Sequence, residues 1–449
     1  AEAAISQIAL YNIFEGLTRI SEAGAVGPGL ATSWTADAAR KVYTFKLLSG
    51  VKFSDGTTFD SADVKFTYER NAGEKSTNKR KKRFINMASV EAPDATTVKI
   101  TLKNANPNLA FEMGESTAVI VGPESAAGNE TNPVGTGPYK VSKWVRGDSV
   151  TLVKQDHYRD AGSIKLSKVT FKFMSDPSAQ MAALRAGDID FFPYFGSPES
   201  VDQFKADKDF EVLEGTTEGE VILSTNNKSP IMSDVRVRQA VAYAIDRQAI
   251  VDGAMFGFGT PIGSHMAPHN PAYVDLTGAF AYNPAKAKAL LKEAGHGNGV
   301  TVSLKLPPPA YARRGGEIIA AQLAKVGITA KIEPVEWAQW LDQVYKKRNY
   351  DLSIVMHVEP NDIGKYADPK YYFQYDSKEF QDIIKIADTT LDPAERKSAL
   401  QAAQRKISAD AVNGFLFQGA KITVMRKGLQ GVWANSPMFV NDLAAISWK

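Results

Sequence analysis

The sequence predicts a mixed α/β fold divided over two or three domains, and three observations carry that reading. A chain of 449 residues exceeds the size at which one hydrophobic core usually stops growing. Period-2 apolar alternation, the mark of half-buried strands, recurs along the chain, with helix start and stop signals between the alternating runs. In the second half, one strand–helix–strand succession reads as a βαβ unit, whose crossover is right-handed and whose strands are parallel.

Taken in order, Tyr43, Phe45 and Leu47 alternate with Thr44 and Lys46, and Val51 and Phe53 continue the pattern. Asp55-Gly56 is expected to supply the two positive-φ residues of a tight hairpin turn. Asp60 then reads as a helix N-cap with Asp63 in the first turn, near the positive end of the helix dipole. Residues 167–192 read strand, helix, strand: Val169, Phe171 and Phe173 alternate, Asp176-Pro177 gives N-cap and N1, and Asp188 to Phe192 is extended. Asn283 caps a helix with Pro284 at N1 and Gly295 as its stop. Val300, Val302, Leu304 and Leu306 form a strand ended by Pro307-Pro308-Pro309. A helix is expected from about Arg314 to Val326, stopped by Gly327, with Ile328 to Val335 extended after it. Asp392-Pro393 opens another helix carrying Leu400, Gln404 and Ile407, and Phe415 to Met425 is extended beyond Gly414.

Composition narrows the function classes. No apolar run approaches the ~18 residues of a membrane span, and the start Ala1-Glu2-Ala3-Ala4 reads as a mature N-terminus left by a cleaved signal peptide. With no cysteine, disulfides, thiolate nucleophiles and Cys-ligated metals are excluded, which fits an oxidising compartment. The net charge of +3 is too mild to indicate nucleic acid. The basic run Lys75, Lys79, Arg80, Lys81, Lys82, Arg83 has no interleaved aromatic for base stacking and reads as solvated surface. Ser49–Lys52 and Ser76–Lys79 match a serine–x–x–lysine spacing, but the companion Lys-Thr-Gly is missing. No nucleophile elbow or Walker motif occurs, and Gly257-Phe258-Gly259 runs into Pro261, so it cannot open a dinucleotide-binding helix. Of the five histidines, His265 and His269 are four apart. Gly263 and Pro268 argue against a helix that would align them, so they read as ordinary loop histidines.

The ordered block from Tyr43 to Asn71 also closely resembles the signature of the bacterial extracellular solute-binding proteins of the peptide, nickel and opine type (family 5). Further matches follow in family order: Pro28 to Trp34, Gly135-Thr136-Gly137-Pro138-Tyr139, Ala183 to Asp190, Asp234 to Ala240 and Ala242 to Arg247. Those proteins carry ligands to ABC importers and are not enzymes. The resemblance implies a two-lobe α/β periplasmic binding protein (type II, cluster C) with a small extra domain and a two-segment hinge. Lobe 1 would comprise residues 1–30, 134–225 and 421–449, the extra domain 31–133, and lobe 2 226–420, with crossings near Ser224–Asn227 and Phe417–Lys421. It implies a periplasmic monomer that serves the transmembrane subunits of an ABC transporter, with no cofactor, no resident metal and no nucleic acid. The solute would be carboxylate-bearing, dipeptide- or oligopeptide-like or opine-like; the alternative is nickel or a metallophore, which His357 keeps open.

The resemblance also marks residues for the ligand. In the dipeptide-binding branch, an arginine matching Arg313-Arg314 grips the ligand carboxylate, which suits the planar fork of that side chain. The segment from His357 to Asp368-Pro369 follows a strand exit and matches a family segment ending in Asp-Pro, which brings in Glu359, Asp362, Lys365, Tyr366 and Asp368. Peptide binders usually carry an aspartate three residues before that Asp-Pro, paired with the ligand's α-amino group. Lys365 stands there instead. Either Asp362 or Glu359 has taken over the amine, or the ligand is anionic at that end. Tyr11, Asn12 and Glu15 would lie on an early helix facing the ligand, with Tyr11 and Glu15 on one helix face. Gln418 lies on the second crossing segment. Trp337 matches a family tryptophan at the end of a strand, where packing is expected.

Overall fold

The computed structural model describes residues 5–174, 176–360 and 362–449; Ala1–Ala4, read above as a mature N-terminus, lie outside them. The chain forms two compact units. The first comprises residues 1–194, 204–213 and 423–449, and the second residues 195–203 and 214–422. The chain passes between them four times: on either side of residues 195–203, and within the two long strands Phe210–Thr225 and Gly414–Arg426. Ser224–Asn227 and Phe417–Lys421, where crossings were expected, lie inside the second unit.

In the first unit, Ala31–Ala36, Val42–Leu47, Thr97–Leu102 and Met87–Asp94 form an antiparallel sheet in that order. Tyr43, Phe45 and Leu47 are buried on one face, as their alternation predicts, and share a core with Val51, Phe53, Phe59, Val64 and Tyr68. The turn at Asp55-Gly56 differs from expectation: among the described residues there, only Gly56 has positive φ, at 92°. Asp55 instead folds its side chain onto the turn, accepting from Thr57 N at 3.0 Å and Thr57 Oγ1 at 2.6 Å, so one left-handed residue suffices. Lys52 and Thr58 then meet in a single bridge rather than a ladder.

The helix Ser61–Ala72 starts as expected. The Asp60 side chain accepts from the Ala62 amide, and Asp63 Oδ2 accepts from the Asp60 amide at 2.8 Å, a reciprocal capping box. Burial, with Asp60 and Glu124 close by, pushes the Asp63 carboxyl up to about 6. The folded state therefore takes up this proton near pH 6, whereas the unfolded chain does so nearer 4. Between those values the native state holds more protons, so this group adds stability as pH falls and withdraws it as pH rises. Asp63→Asn is expected to melt above the parent at pH 7.5, with the gap narrowing toward pH 4.5 in a thermal melt series. A gap independent of pH would dissociate the effect from this carboxyl.

The glycines of Gly135-Thr136-Gly137 have a structural task. A Cβ on Gly135 would stand 2.1 Å from Ile13 O, and one on Gly137 2.5 Å from Asn12 O. Their absence lets two backbones touch, with Gly137 N donating to Ile13 O and Tyr139 N to Asn12 O, both at 2.9 Å. Tyr139–Val145, Ser149–Lys154 and Lys168–Lys172 form a second antiparallel sheet. Phe173 lies just past its last strand and is exposed. The helix Pro177–Ala186 has Asp176 as its N-cap, and of the expected extension at 188–192 only Phe191–Phe192 is strand.

The second unit is built on a mixed sheet in the order Gly414–Arg426, Phe210–Thr225, Leu352–His357, Val300–Leu306, Ile328–Pro334, with Gly259–Pro261 on the outer side of Gly414–Arg426. Val300–Leu306 runs parallel to both of its neighbours, so the expected βαβ unit is present. Its helix, Ala310–Ala324, starts earlier than the expected Arg314, because Pro309 with φ of −60° already sets the cap. Arg313 and Arg314 thus sit in the first turns of the helix, not ahead of it. Alternate residues of one strand feed two cores: Val221 and Leu223 pack with Val302, Leu304 and Ile319, while Ile222 packs with Tyr366, Tyr372 and Phe380. Both faces of the sheet are covered, hence the unbroken burial from Glu220 to Thr225. Helices Pro284–Glu293 and Pro393–Ala409 carry the predicted caps, Asn283 and Asp392.

Candidate functional site

The strand Leu352–His357 delivers His357 to the edge of the second core, and a short 3-10 turn, Asp362–Ala367, follows. Asp362 is buried between two imidazoles, at 2.6 Å from His265 Nε2 and 2.8 Å from His357 Nδ1. Each imidazole is held on its other side by a tyrosine hydroxyl: Tyr366 stands 3.2 Å from His265 Nδ1 and Tyr372 2.9 Å from His357 Nε2. Tyr366 also accepts from Asn413 Nδ2 at 2.8 Å, and Tyr372 is 2.9 Å from Ser224 Oγ. Glu220 lies opposite His357 in the strand register and is 4 % exposed.

Electrostatics follow from this packing. Burial alone would raise the Asp362 carboxyl, but the two imidazoles prevail and hold it well below the usual range. Burial, reinforced by Asp362 and Glu218, pushes the Glu220 carboxyl well above that range. Burial lowers His357, with Asp362 partly offsetting the effect. His269, four residues from His265, belongs elsewhere: its Nε2 meets Glu218 Oε1 at 2.6 Å, and that hydrogen bond raises it.

The rest of the segment is more open. Lys365 Nζ is 2.9 Å from Glu359 Oε2, both half-buried, and lies 5.6 Å from the centre of the Tyr371 ring. Asp368 accepts from Lys370 N in a turn at 2.9 Å. On the neighbouring helix, Arg313 Nη2 reaches Glu336 Oε1 at 3.1 Å, a glutamate 72 % exposed, while Arg313 Nε is buried with no acceptor. Arg314 forks both oxygens of Glu199, at 3.0 and 3.1 Å, and so keeps that carboxyl low. Gln418 is buried and donates to Thr217 O at 2.7 Å. Trp337 is exposed and meets buried Trp340 edge-on at 5.8 Å.

In the first unit, the expected helix face does not form. The short helix Ser6–Ala9 ends before Tyr11, which adopts φ of 62°, so Tyr11 and Glu15 are not helical neighbours. Tyr11 is a core residue: its hydroxyl donates to Gly114 O at 2.9 Å and accepts from Ile20 N at 2.8 Å. Asn12 is fully buried, and its side chain serves the backbone of Ile8, Asn441 and Leu443. Glu15 is gripped by Arg159 through both oxygens, at 2.7 and 2.8 Å.

The structure thus gathers His357, Asp362 and Tyr366 into one network and leaves Arg313, Arg314, Glu359, Lys365 and Asp368 on the more open rim of the same unit. The comparison with known proteins agrees with the motifs. The profile of the bacterial extracellular solute-binding proteins, family 5 (middle), matches residues 25–382. The chain belongs to that family. Among curated relatives, the glutathione-binding protein GsiB of Escherichia coli (strain K12) is 29% identical over 453 aligned positions, covering 96% of this chain and 88% of the relative. The binding protein AgaA of A. tumefaciens R10, solved with agropinic acid, superposes with a TM-score of 0.85 at 27% identity, over 98% of this chain and 93% of that one. A dipeptide-binding protein from Pseudoalteromonas sp. SM9913, solved with Met-Leu, shares the fold with a TM-score of 0.88 at 22% identity, over 99% and 95% of the two chains. This family 5 protein therefore has the α/β fold of the two-lobe periplasmic binding proteins.

His265 is the residue that sequence reasoning missed. Its partner Asp362 is 97 positions away, and spacing to His269 pointed in the wrong direction. One signal was present: Gly263, two residues earlier, where an added Cβ would stand 2.1 Å from the Leu276 carbonyl carbon. That crowding fixes the loop that carries His265 inward.

Proposed function

We propose that this protein captures a small carboxylate-bearing solute, peptide-like or opine-like, in the periplasm and delivers it as a monomer to the transmembrane subunits of an ABC importer. The family is one of substrate-binding transport proteins, and relatives that bind glutathione or agropinic acid are consistent with a carboxylate as the common recognition element. The observation that carries the reading is Arg313. Its Nε donor has no acceptor, and its one ion pair is to a largely exposed glutamate, a contact of about 0–1 kcal/mol that a ligand can displace. A bound carboxylate would give the guanidinium two parallel acceptors. Lys365, in place of the amine-pairing aspartate of peptide binders, is neutralised by Glu359. It favours a ligand whose end at this point is not a bare ammonium.

Native mass spectrometry of freshly purified protein tests the proposal, since binding proteins of high affinity retain their cargo. A bound organic acid of peptide or opine size is expected, and at 100 times its Kd it should add about 2.7 kcal/mol of stability. Retention of a metal chelate, the ion together with its organic carrier, would favour a metallophore carrier instead.

A further inference from the structure

We propose that His265, His357 and Asp362, with Glu220 close beside them, form a buried site for a divalent transition metal, of the zinc class, inside the second unit. The site is independent of the solute reading above.

One ligand atom from each of His265, His357 and Asp362 lies within 4.8 Å of the others, so small side-chain shifts would bring all three within reach of one ion with bonds of about 2.0–2.2 Å. The donor set is two imidazole nitrogens and carboxylate oxygen, without sulfur, which suits Zn2+, Ni2+ or Cu2+ rather than Ca2+ or Mg2+. Glu220 is an independent sign. It is 4 % exposed, it faces His357 across the strand pair, and the backbone at Ala267, two residues beyond His265, hydrogen-bonds its carboxylate. Its second oxygen, Oε2, is buried with no partner. A buried acceptor of this kind costs stability unless something fills it, and a cation would do so while also relieving the repulsion between Glu220 and Asp362.

The outer contacts fit as well. Each imidazole nitrogen that does not face Asp362 meets a tyrosine hydroxyl, Tyr366 for His265 and Tyr372 for His357. A hydroxyl can either donate or accept. When a metal takes the inner nitrogens, the protons shared with Asp362 move to the outer ones, and each hydroxyl turns from donor to acceptor. Tyr372 can then pass its own proton toward Ser224, 2.9 Å away. Outer partners that fix the tautomer and ring orientation of ligating histidines are a regular feature of metal sites. The competing surface pair, His269 with Glu218, is exposed and offers no third ligand among the described residues.

The test uses the full chain, stripped with chelator under mild denaturant and refolded with or without Zn2+. One zinc per chain by elemental analysis is expected, and Co2+ in its place should give the strong visible bands of a four-coordinate site, a readout that needs no variant. His265→Gln should weaken zinc binding by roughly 100-fold, and Tyr372→Phe, which keeps every ligand and the packing, by roughly tenfold. His269→Gln should leave affinity and stoichiometry unchanged. Absence of stoichiometric zinc in the refolded parent would overturn the proposal. So would zinc that survives His265→Gln, or that is lost with His269→Gln. None of these readouts involves the transported solute, so failure here leaves the transport reading untouched, and the converse holds.

Discussion

Arg313→Ala is expected to weaken solute binding by roughly 30-fold to several thousandfold, about 2–5 kcal/mol. The size follows from what is left behind: truncation leaves the ligand carboxylate without its fork of two parallel donors. Arg314→Ala is the internal control. Its guanidinium is already occupied by both oxygens of Glu199, so its loss should cost under about 1 kcal/mol of affinity. Isothermal titration with the co-purified solute separates the two variants, since the expected ranges hardly overlap. Equal effects would move the carboxylate grip away from Arg313, and a large effect of Arg314 alone would transfer it to the neighbouring fork.

Asp362→Ala is expected to lower the stability of the metal-free protein by about 3–5 kcal/mol, the usual loss when one partner of a buried ionic pair is removed. Two imidazoles lose their common acceptor at once, and His265 has no water to replace it, its side chain being 1% exposed. Glu220→Gln is the contrasting variant. The amide has the shape of the carboxyl, whose charged form burial already disfavours, so stability should stay within about 0.5 kcal/mol. Urea unfolding followed by circular dichroism measures both. A loss under about 1 kcal/mol for Asp362→Ala would mean that the network is not what organises this part of the core.

The sequence foretold local structure where one side chain acts on its own backbone. Asp60 as N-cap, Asn283-Pro284 at a helix start, Gly327 at φ of 93° between helix and strand, and the parallel pairing of Val300–Leu306 with Ile328–Pro334 all follow from signals a few residues long. Expectations failed where distant chain decides. Tyr11 reads as helical by spacing, yet its hydroxyl bonds to Gly114 and Ile20 reward a left-handed backbone instead. The two arginines entered the helix because a proline can cap as well as break. The His265 network was invisible for the same reason: its members come from four separate stretches, residues 220–224, 265, 357–372 and 413, and no local period links them. Family motifs pointed to the pair Arg313-Arg314 and to the segment after His357, but they could not show that Asp362 is enclosed by imidazoles while Glu359 answers Lys365.

Asn12 imposes an order of events on the chain's synthesis. Its Nδ2 donates to Asn441 O at 2.7 Å and its Oδ1 accepts from Leu443 N at 3.1 Å, so a residue made among the first is satisfied only by residues made among the last. Until then a buried amide lacks its partners, at a cost of about 1–3 kcal/mol, beyond the entropy of closing so long a loop. The second unit waits almost as long, since Gln418 closes onto Thr217 and Asn413 onto Thr225. This join in the first unit cannot close until translation has all but ended, although the core around Phe45 and Tyr68, drawn from residues 17–134, has no need of the tail. For a polypeptide of an extracellular family, that delay works in favour of export before folding is complete.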